Sequence, residues 1–446
     1  MRVVVVGGGV GGVAAAAAAA SRSGVDVTLV EGSGSLGLNQ AMFPYVLSGQ
    51  CPPEMLHLAD ASGLSKDFGV EVRLNERVLS VDPQSHTART GDGRLSFDSL
   101  VLATGSRYLG DRVKGMSKQG VFLMRSLDDY LALSRSRDGL SHIAIMGSAP
   151  LSLIVAQALT RCSKAQVFLG ARGLRRFSPG VERMVAQAAS ARGVELLNAD
   201  IDAMVGTGRV EAVISAGGVH PCDGAVVLPG SSPLLPQVDC LVGDHGGVLV
   251  DRSMRTSSKD IFAAGDCTEL RLGSTSLPSR LHSSSRVMGE VAGLNAAGGA
   301  VRANLARSMS LDLFGVEVCT AGIDVEEGVR AGLDVARVDS EDERRDGLFG
   351  GGDVCTSDVC TSIVYGRSTR RVLGIQMAGP GALSLSEYAS LAVSSGAVLE
   401  DLAYHESPYL PNFNKDKSPI SLTAGKALAH VQEQSIEAQG THLRHR

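Results

Sequence analysis

The chain begins with a glycine-rich turn whose spacing suits the binding of a nucleotide pyrophosphate. Val3 to Val6 form a β-branched apolar run, and the next six residues are Gly7-Gly8-Gly9-Val10-Gly11-Gly12, which fits the pattern G-x-G-x-x-G. In this pattern Gly7 allows a tight turn, and Gly9 lets backbone N–H groups reach a pyrophosphate at a helix N-terminus. Gly12 lets the helix pack closely against the strand.

The segments around this turn have the order that a dinucleotide-binding unit needs. Helix-forming residues run from Val13 to Ala20, and VDVTLVEG predicts a second strand that ends at Glu31. Glu31 is expected to accept hydrogen bonds from the ribose hydroxyls of an adenosine. Because glycines interrupt the apolar N-terminal run, this interpretation explains it better than a signal peptide does.

Two later segments indicate which dinucleotide binds. FDSLVLATGSRY places Ala103-Thr104-Gly105 at the end of an apolar strand, and DIFAAGDCTEL places Gly265-Asp266 after another. With the glycine turn, they resemble the three signature segments of the FAD-dependent pyridine nucleotide-disulfide oxidoreductase family. The resemblance implies that the first site binds FAD and that Asp266 bonds the ribityl and phosphate side of the flavin. It also implies that the backbone of Val78 packs on the adenine.

The resemblance covers nearly the whole chain and implies its architecture. We expect an α/β fold with two Rossmann-like dinucleotide-binding domains, for FAD and NAD(P), plus a C-terminal α+β dimerisation domain. The implied FAD-binding domain is discontinuous, at 1–112 and 248–303, with a NAD(P)-binding-like domain inserted at 113–247. The interface domain follows at 304–430 and a tail at 431–446. The family is implied to form a homodimer in which Tyr404 and Tyr409 reach the other subunit's active site.

The second nucleotide-binding unit has a degenerate glycine pattern. HIAIMGSAPLSLIVAQAL has the strand, turn and helix order, but its turn is Gly147-Ser148-Ala149-Pro150-Leu151-Ser152, with only the first glycine retained. Ala149 places a methyl group where backbone should approach the pyrophosphate. Ser152 places a side chain where helix and strand should meet.

The end of that unit's second strand has arginines in place of the expected acid. Ala171 stands at the acidic position, Arg172 follows it, and Arg175 and Arg176 are close in sequence. Two interpretations stay open. The arginines bind the 2′-phosphate of NADPH, or the domain keeps its fold as a scaffold that binds a nicotinamide nucleotide poorly.

The segment NQAMFPY, residues 39–45, resembles the redox segment of the family's single-cysteine branch. That branch includes coenzyme A disulfide reductases, NADH oxidases and NADH peroxidases, and it has a cysteine a few residues before a Pro-Tyr pair. Here the cysteine position is Ala41, which cannot exchange with disulfides as a thiolate does. The substrate-region candidates are therefore Asn39, Gln40, Ala41, Tyr404 and Tyr409.

The 8 cysteines follow no regular framework, which indicates free thiols and a cytoplasmic location. Cys355 and Cys360 would face each other across a hairpin if the intervening TSD forms a tight turn. They are alternative redox thiols, and burial as small apolar side chains also explains them. Their spacing fits no common zinc pattern, so no metal site is predicted.

Length and composition set the remaining bounds. A chain of 446 residues is expected to form two or three domains, and 44% hydrophobic with 20% charged residues is normal for a globular protein. The net charge of −5, without a basic stripe, argues against nucleic acid as a partner. The apolar runs are too short or too interrupted for a membrane-spanning helix.

Together these features predict an FAD-dependent oxidoreductase, NAD(P)H-linked, that passes electrons through the flavin to a non-disulfide acceptor. O2, a quinone and a small carrier protein all qualify, because a flavin alone can reduce them. NADPH is the favoured donor if a nicotinamide nucleotide is used. The alternatives are a non-catalytic FAD-bound redox sensor or scaffold, and thiol or sulfide chemistry through Cys355 and Cys360.

Overall fold

The computed structural model describes residues 1–57, 59–108, 113–124, 126–170, 174, 176–197, 199–228, 230–343, 358–409 and 415–444. The predictions that concern Ala171, Arg172, Arg175 and Cys355 lie outside these residues. None of the helices in the described part of the chain is both long and apolar enough to cross a membrane.

The chain divides into two compact units. The first contains Met1–Gly147, Ile154–Gly170 and Leu197–Asn304, and the second contains Ser148–Leu153, Ala171–Leu196 and Leu305–Arg446. The division into two nucleotide domains and an interface domain at the boundaries given above stays a prediction.

The strands, in chain order, are β1 (Arg2–Val6), β2 (Asp26–Val30), β3 (Glu71–Arg73), β4 (Val78–Asp82), β5 (Thr87–Thr90), β6 (Arg94–Ser96), β7 (Ser99–Leu102), β8 (Ser106–Tyr108), β9 (Val121–Leu123), β10 (His142–Met146), β11 (Gln166–Leu169), β12 (Val194–Leu196), β13 (Ile201–Val205), β14 (Ala212–Ser215), β15 (Gly218–Pro221), β16 (Gly224–Val227), β17 (Ser231–Pro233), β18 (Val248–Val250), β19 (Ile261–Ala263), β20 (Thr268–Leu272), β21 (Thr275–Leu277), β22 (Met309–Leu313), β23 (Val316–Gly322), β24 (Val335–Glu343), β25 (Asp358–Gly366) and β26 (Val372–Ala378).

The α-helices are α1 (Val10–Ala20), α2 (Phe43–Leu47), α3 (Ala61–Phe68), α4 (Leu127–Ser136), α5 (Leu151–Cys162), α6 (Pro179–Ala191), α7 (His282–Ala296), α8 (Val325–Arg330), α9 (Ser386–Ser395), α10 (Leu399–Ala403) and α11 (Pro419–Arg444). Short 3-10 helices cover Gln40–Met42, Pro53–Leu56, Arg137–Gly139, Gly265–Cys267 and Leu383–Leu385.

The first unit contains a five-stranded parallel sheet in the order β19-β7-β1-β2-β3. Val3 lies opposite Val27 of β2 on one side and Ser99 of β7 on the other. Val3 to Val6 are buried, which is why this strand is a continuous apolar run in sequence. The strand order reverses between β1 and β7, and in open parallel sheets ligands bind at the carboxyl ends beside such a switch point.

A second group of parallel strands, β11, β10, β16 and β9 in that spatial order, also belongs to the first unit. The first unit also contains smaller sheets: β4-β5-β6, β13-β14-β15, β18-β20-β21 and the pair β8-β17. The strand β8 follows directly after Gly105, so this short pair lies next to the carboxyl end of β7.

The second unit is built on a five-stranded antiparallel sheet in the order β22-β23-β26-β25-β24. Its core contains Ile363, Ile375 and Met377 from the sheet, with Leu399 and Ile420 from α10 and α11. An antiparallel sheet with its own helices has the α+β character predicted for the C-terminal part of the chain.

Candidate functional site

The glycine turn between β1 and α1 forms an open cradle. Gly7 has φ +107°, and a Cβ at this residue would overlap the carbonyl oxygen of Ala103. A Cβ at Gly12 would overlap the carbonyl oxygen of Gly7, so the helix approaches the turn too closely for any side chain. Gly9, the N-cap of α1, has no atom within 4 Å of its Cβ position. The backbone at the N-terminus of α1 therefore has open space beside Gly9, as close approach of a pyrophosphate requires.

Glu31 is held against this turn by two backbone donors. The N–H of Gly8 donates to Oε2 at 2.6 Å and the N–H of Ser33 donates to Oε1 at 2.7 Å. Each carboxylate oxygen keeps a further lone pair, so Glu31 can still accept from a ribose hydroxyl. The N–H of Glu76 donates to the Glu31 carbonyl at 3.0 Å, which brings the start of β4 and its buried Val78 towards the same end of β2.

The other two signature segments end at the same edge of the sheet. The N–H of Ala103 donates to the carbonyl of Val6, and the N–H of Ala264 donates to that of Leu102, both at 2.8 Å. Gly105 and Gly265 then turn the chain with φ +66° and +77°. The Thr104 hydroxyl donates to the carbonyl of Leu234. The three segments singled out in sequence are therefore brought together in the structure.

Asp266 is a mostly buried carboxylate at this edge. Its Oδ2 accepts from the Ser106 hydroxyl at 3.3 Å. Burial raises the pKa of Asp266, while Arg280 and hydrogen bonds from Ser106 and Ser285 act in the opposite direction. A buried carboxylate whose partners here are hydroxyls is chemically matched to the polyol chain of a flavin nucleotide.

Helix α7 packs directly on α1 through glycines that sequence reasoning missed. A Cβ at Gly289 would overlap the carbonyl oxygen of Gly11, and one at Gly293 would overlap that of Ala15. The close approach leaves the Ser285 carbonyl 3.1 Å from the Cβ position of Gly11. The available signal was the four-residue spacing of two glycines in a helix rich in small residues. Val10, half-buried, is the first residue of α1.

Ala41 lies in the 3-10 turn Gln40–Met42 that leads into α2, and it is exposed. The helix behind it is firmly supported, because the Phe43 ring lies 4.6 Å from that of Tyr130 and the Leu47 carbonyl accepts from Arg137. Asn39 Oδ1 is buried without a hydrogen-bond partner in the described part of the chain. The substrate-region candidates at 39–41 thus precede a helix that packs on Tyr130 and Arg137, and Ala41 exposes its small side chain.

Tyr108 joins this segment to the nucleotide site and was not singled out in sequence. Its hydroxyl donates to Gln40 Oε1 at 3.1 Å. Burial, and then the charges of Asp266 and Asp129, raise the pKa of Tyr108, so the phenol is protonated at neutral pH. The signal that could have found it is its position two residues after Ser106, since alternate residues of a strand share a face.

The degenerate turn is divided between the two units. In the first unit, a Cβ at Gly147 would lie 2.8 Å from the Leu228 Cβ. In the second unit, Ala149 is buried, so its methyl group is not displayed to solvent. Ser152 is 0% exposed, and its Oγ has no hydrogen-bond partner among the described residues.

Arg176 is the member of the arginine group whose side chain the structure describes. It forms an ion pair of 3.6 Å with Glu327, which also accepts from both terminal nitrogens of Arg307, at 3.0 and 3.1 Å. Arg176 is thus engaged with a carboxylate that Arg307 also pairs with, and the NADPH hypothesis depends mainly on Arg172 and Arg175.

The remaining candidates lie in the second unit. Tyr404 is 77% exposed and Tyr409 is 51% exposed. Cys360 is buried in β25, where its Sγ would lie 3.2 Å from a Cβ at Gly180. Its proposed pairing with Cys355 lies outside the described residues. No group of metal-binding side chains was found among the residues that the structure describes.

A family model described as pyridine nucleotide-disulphide oxidoreductase matches residues 1–287. The chain belongs to this family. The family assignment confirms the predicted fold class, FAD as cofactor and NAD(P)H-linked oxidoreductase activity.

Individual relatives have low sequence identity to this chain, but the similarity covers nearly the full length of both. The NAD(P)H coenzyme A polysulfide/persulfide reductase of Pyrococcus horikoshii is 25% identical over 414 residues, which cover 90% of this chain and 92% of the relative. The water-forming NADH oxidase of Lactobacillus brevis, bound to NADH, has a TM-score of 0.86 at 22% identity and covers 98% of this chain and 100% of its own. Its engineered NADPH-oxidase form, bound to NADPH, gives the same values and carries Asp to Ala, followed directly by Ala to Arg, among its substitutions.

Proposed function

We propose that this protein takes electrons from NADPH into bound FAD and passes them directly to a small acceptor, without a protein thiol in between. The observation that carries the proposal is that Ala41 is exposed. The resemblance of residues 39–45 to the redox segment of the single-cysteine branch implies that this residue stands in place of the redox cysteine. Bound FAD supplies two-electron chemistry with the nicotinamide and reduction of O2, a quinone or a carrier protein. The chain would hold it through the N-terminus of α1, Glu31 and Asp266.

NADPH as donor is supported by the residues at the end of the second strand. The engineered Lactobacillus brevis oxidase, which is bound to NADPH, acquired an Ala-Arg pair in place of Asp-Ala. This chain has Ala171-Arg172 in the same order. Loss of the carboxylate removes repulsion of a 2′-phosphate, and the guanidinium supplies a cation for it.

Anaerobic mixing with NADPH or NADH, followed through flavin absorbance, tests the donor. We expect faster bleaching with NADPH than with NADH. Arg172→Ala should raise the dissociation constant for NADPH, obtained from the concentration dependence of the bleaching rate, about tenfold and leave that for NADH unchanged, as expected for loss of about 1.4 kcal/mol from one charge-assisted contact. Arg176→Ala is the matched control, since Arg176 pairs with Glu327. A preference for NADH would refute the arginine argument, and no bleaching by either would favour the scaffold alternative.

Turnover with different acceptors tests the absence of a thiol step. NADPH oxidation should proceed with O2 or a quinone, and reduction of small disulfides should stay at background. Ala41→Cys should add a thiol at the exposed position and allow reaction with disulfides. Robust disulfide reduction by the native chain would instead support another thiol, and Cys355→Ser with Cys360→Ser would locate it.

We also propose a homodimer formed by the second unit. The support is the exposure of large apolar side chains there, namely Tyr404, Tyr409, Leu391 and Val329. Sedimentation should give twice the chain mass at micromolar concentration, and a monomer would contradict the proposal. A cytoplasmic location is supported by the cysteines of the described residues, which are free thiols.

A further inference from the structure

The short strand β8 links the flavin side of the site to the residue before Ala41. Ser106 and Tyr108 are two residues apart on this strand and therefore share a face, while Arg107 between them is exposed. The Ser106 hydroxyl donates to Asp266 and the Tyr108 hydroxyl donates to Gln40. One face of β8 therefore connects Asp266, the carboxylate expected to bind the flavin, with the side-chain amide of Gln40, the residue before Ala41.

The bond from Tyr108 orients the Gln40 amide. A neutral phenol donates to the carbonyl end, Oε1, so the opposite end of the amide carries its two N–H donors. Gln40 is exposed, and its neighbour Ala41 ends at a methyl group, which leaves room beside the amide. The arrangement presents a hydrogen-bond donor, held by a tyrosine, next to Ala41, the position that the resemblance assigns to the redox cysteine.

We propose that Gln40 binds the electron acceptor by donating a hydrogen bond from its side-chain NH2 to an acceptor oxygen, and that Tyr108 is the positioning residue that orients this amide. The inference rests on the proposed function and assigns its acceptor class, a molecule reduced at oxygen, either O2 or a quinone carbonyl. Over the whole reaction, NADPH supplies two electrons and one hydrogen as hydride and water supplies one proton, so that O2 becomes hydrogen peroxide or a quinone becomes a quinol. Gln40 keeps its protons and stabilises negative charge as it develops on the oxygen.

Separate measurement of the two half-reactions tests the proposal. Reduction by NADPH under anaerobic conditions should be the same in the native chain, Tyr108→Phe and Gln40→Leu. Reoxidation should become about tenfold slower in both variants, the size expected for one oriented hydrogen bond. Tyr45→Phe is the matched control, since Tyr45 is an exposed tyrosine of the adjoining helix, and it should behave as the native chain. The double variant should be no slower than either single variant.

Running reoxidation with O2 and with a water-soluble benzoquinone distinguishes the two acceptor sources, because only the true acceptor should show the defect. Equal slowing of both half-reactions, or unchanged reoxidation with both acceptors, would overturn the inference. Because Gln40 is exposed, Gln40→Leu remains informative even if Tyr108→Phe lowers FAD occupancy.

Binding of hydroquinone, a product analogue, gives a readout that needs no turnover. If the quinone is the acceptor that shows the reoxidation defect, the dissociation constant of hydroquinone, from perturbation of the oxidised flavin spectrum, should rise about tenfold in Tyr108→Phe and Gln40→Leu, and not in Tyr45→Phe. An unchanged constant in both variants would exclude Gln40 as a quinone-binding residue. Failure of the native chain to be reoxidised by O2 or the benzoquinone would refute both as acceptors in the proposed function. The hydroquinone constants test the role of Gln40 separately from that outcome.

Discussion

The two glycine turns share a layout in sequence and differ in packing. At the third fingerprint position, Gly12 leaves no room for a Cβ because the Gly7 carbonyl already lies there. At the corresponding position of the second turn, Ser152 has a side chain that is completely buried. At the middle position, the Cβ site of Gly9 faces open space, whereas Ala149 is buried. The first turn is therefore built around an open cradle, and the second has been filled with side chains.

The largest effect expected from this difference is at Gly12. Gly12→Ala places a methyl group on the carbonyl oxygen of Gly7, and this clash with backbone would distort the turn. We therefore expect the purified protein to lack FAD and to unfold at lower temperature. Flavin absorbance per chain measures the first effect. Gly91→Ala, at an exposed position with no atom within 4 Å of its Cβ site, is the control. Stoichiometric FAD in Gly12→Ala would show that the turn is more adaptable than the structure indicates.

Removal of the carboxylate that faces the first turn should have the next largest effect. Glu31→Ala removes the acceptor for the N–H groups of Gly8 and Ser33 together with the ribose contact. We expect the FAD dissociation constant to rise by a factor of about 10 to 100, from about 1.5–3 kcal/mol of charge-assisted bonding. Fluorescence titration of the apoprotein measures it. Glu290→Ala, at a partly exposed residue paired with Arg286, should bind FAD normally; equal weakening in both variants would refute this role of Glu31.

Asp266 should show a trade-off between binding and stability. Because burial raises the pKa of Asp266 in the folded state, the stability it contributes is present at pH below the unfolded value and is lost as pH rises through the folded value. Apoprotein Asp266→Asn should therefore melt at higher temperature than the native apoprotein at pH 7. The gap should close as the pH falls below about 4. The same variant should bind FAD more weakly. A lower melting temperature at pH 7 would contradict the burial argument.

The smallest effect is expected in the filled turn. Ser152→Ala removes a buried hydroxyl without a partner in the described part of the chain, so stability should rise by about 1 kcal/mol, or about 2–4 °C in Tm. Calorimetry measures the change. Ser163→Ala is the control of opposite sign, because the Ser163 hydroxyl accepts from the N–H of Ala165. A decrease in Tm for Ser152→Ala would show that the hydroxyl is satisfied.

Several features of the site could be predicted from local sequence. The apolar runs at Val3–Val6 and before Ala103 and Gly265 predicted strands of one parallel sheet, and the structure pairs them in that way. Glycine spacing predicted the turn, because the positive φ at Gly7 and the close backbone approach at Gly12 each require a glycine at one particular position. The bonding of Asp266 to the ribityl and phosphate side of the flavin was implied by the family resemblance and stays a prediction. The structure shows the hydrogen bond that the Asp266 carboxylate accepts from Ser106.

The amino-acid sequence by itself determined the strands and the nucleotide turn, since each depends on residue type and short-range spacing. The replacement of a redox cysteine by Ala41 stays a prediction from the resemblance of residues 39–45. Only the tertiary structure decided that Tyr108 meets Gln40 across 68 residues and that Ser106 meets Asp266 across 160. It also decided that Arg176 pairs with Glu327 and that Gly289 packs on Gly11. The physical reason is that side-chain partners distant in sequence are selected by how sheets and helices pack, which no local pattern encodes.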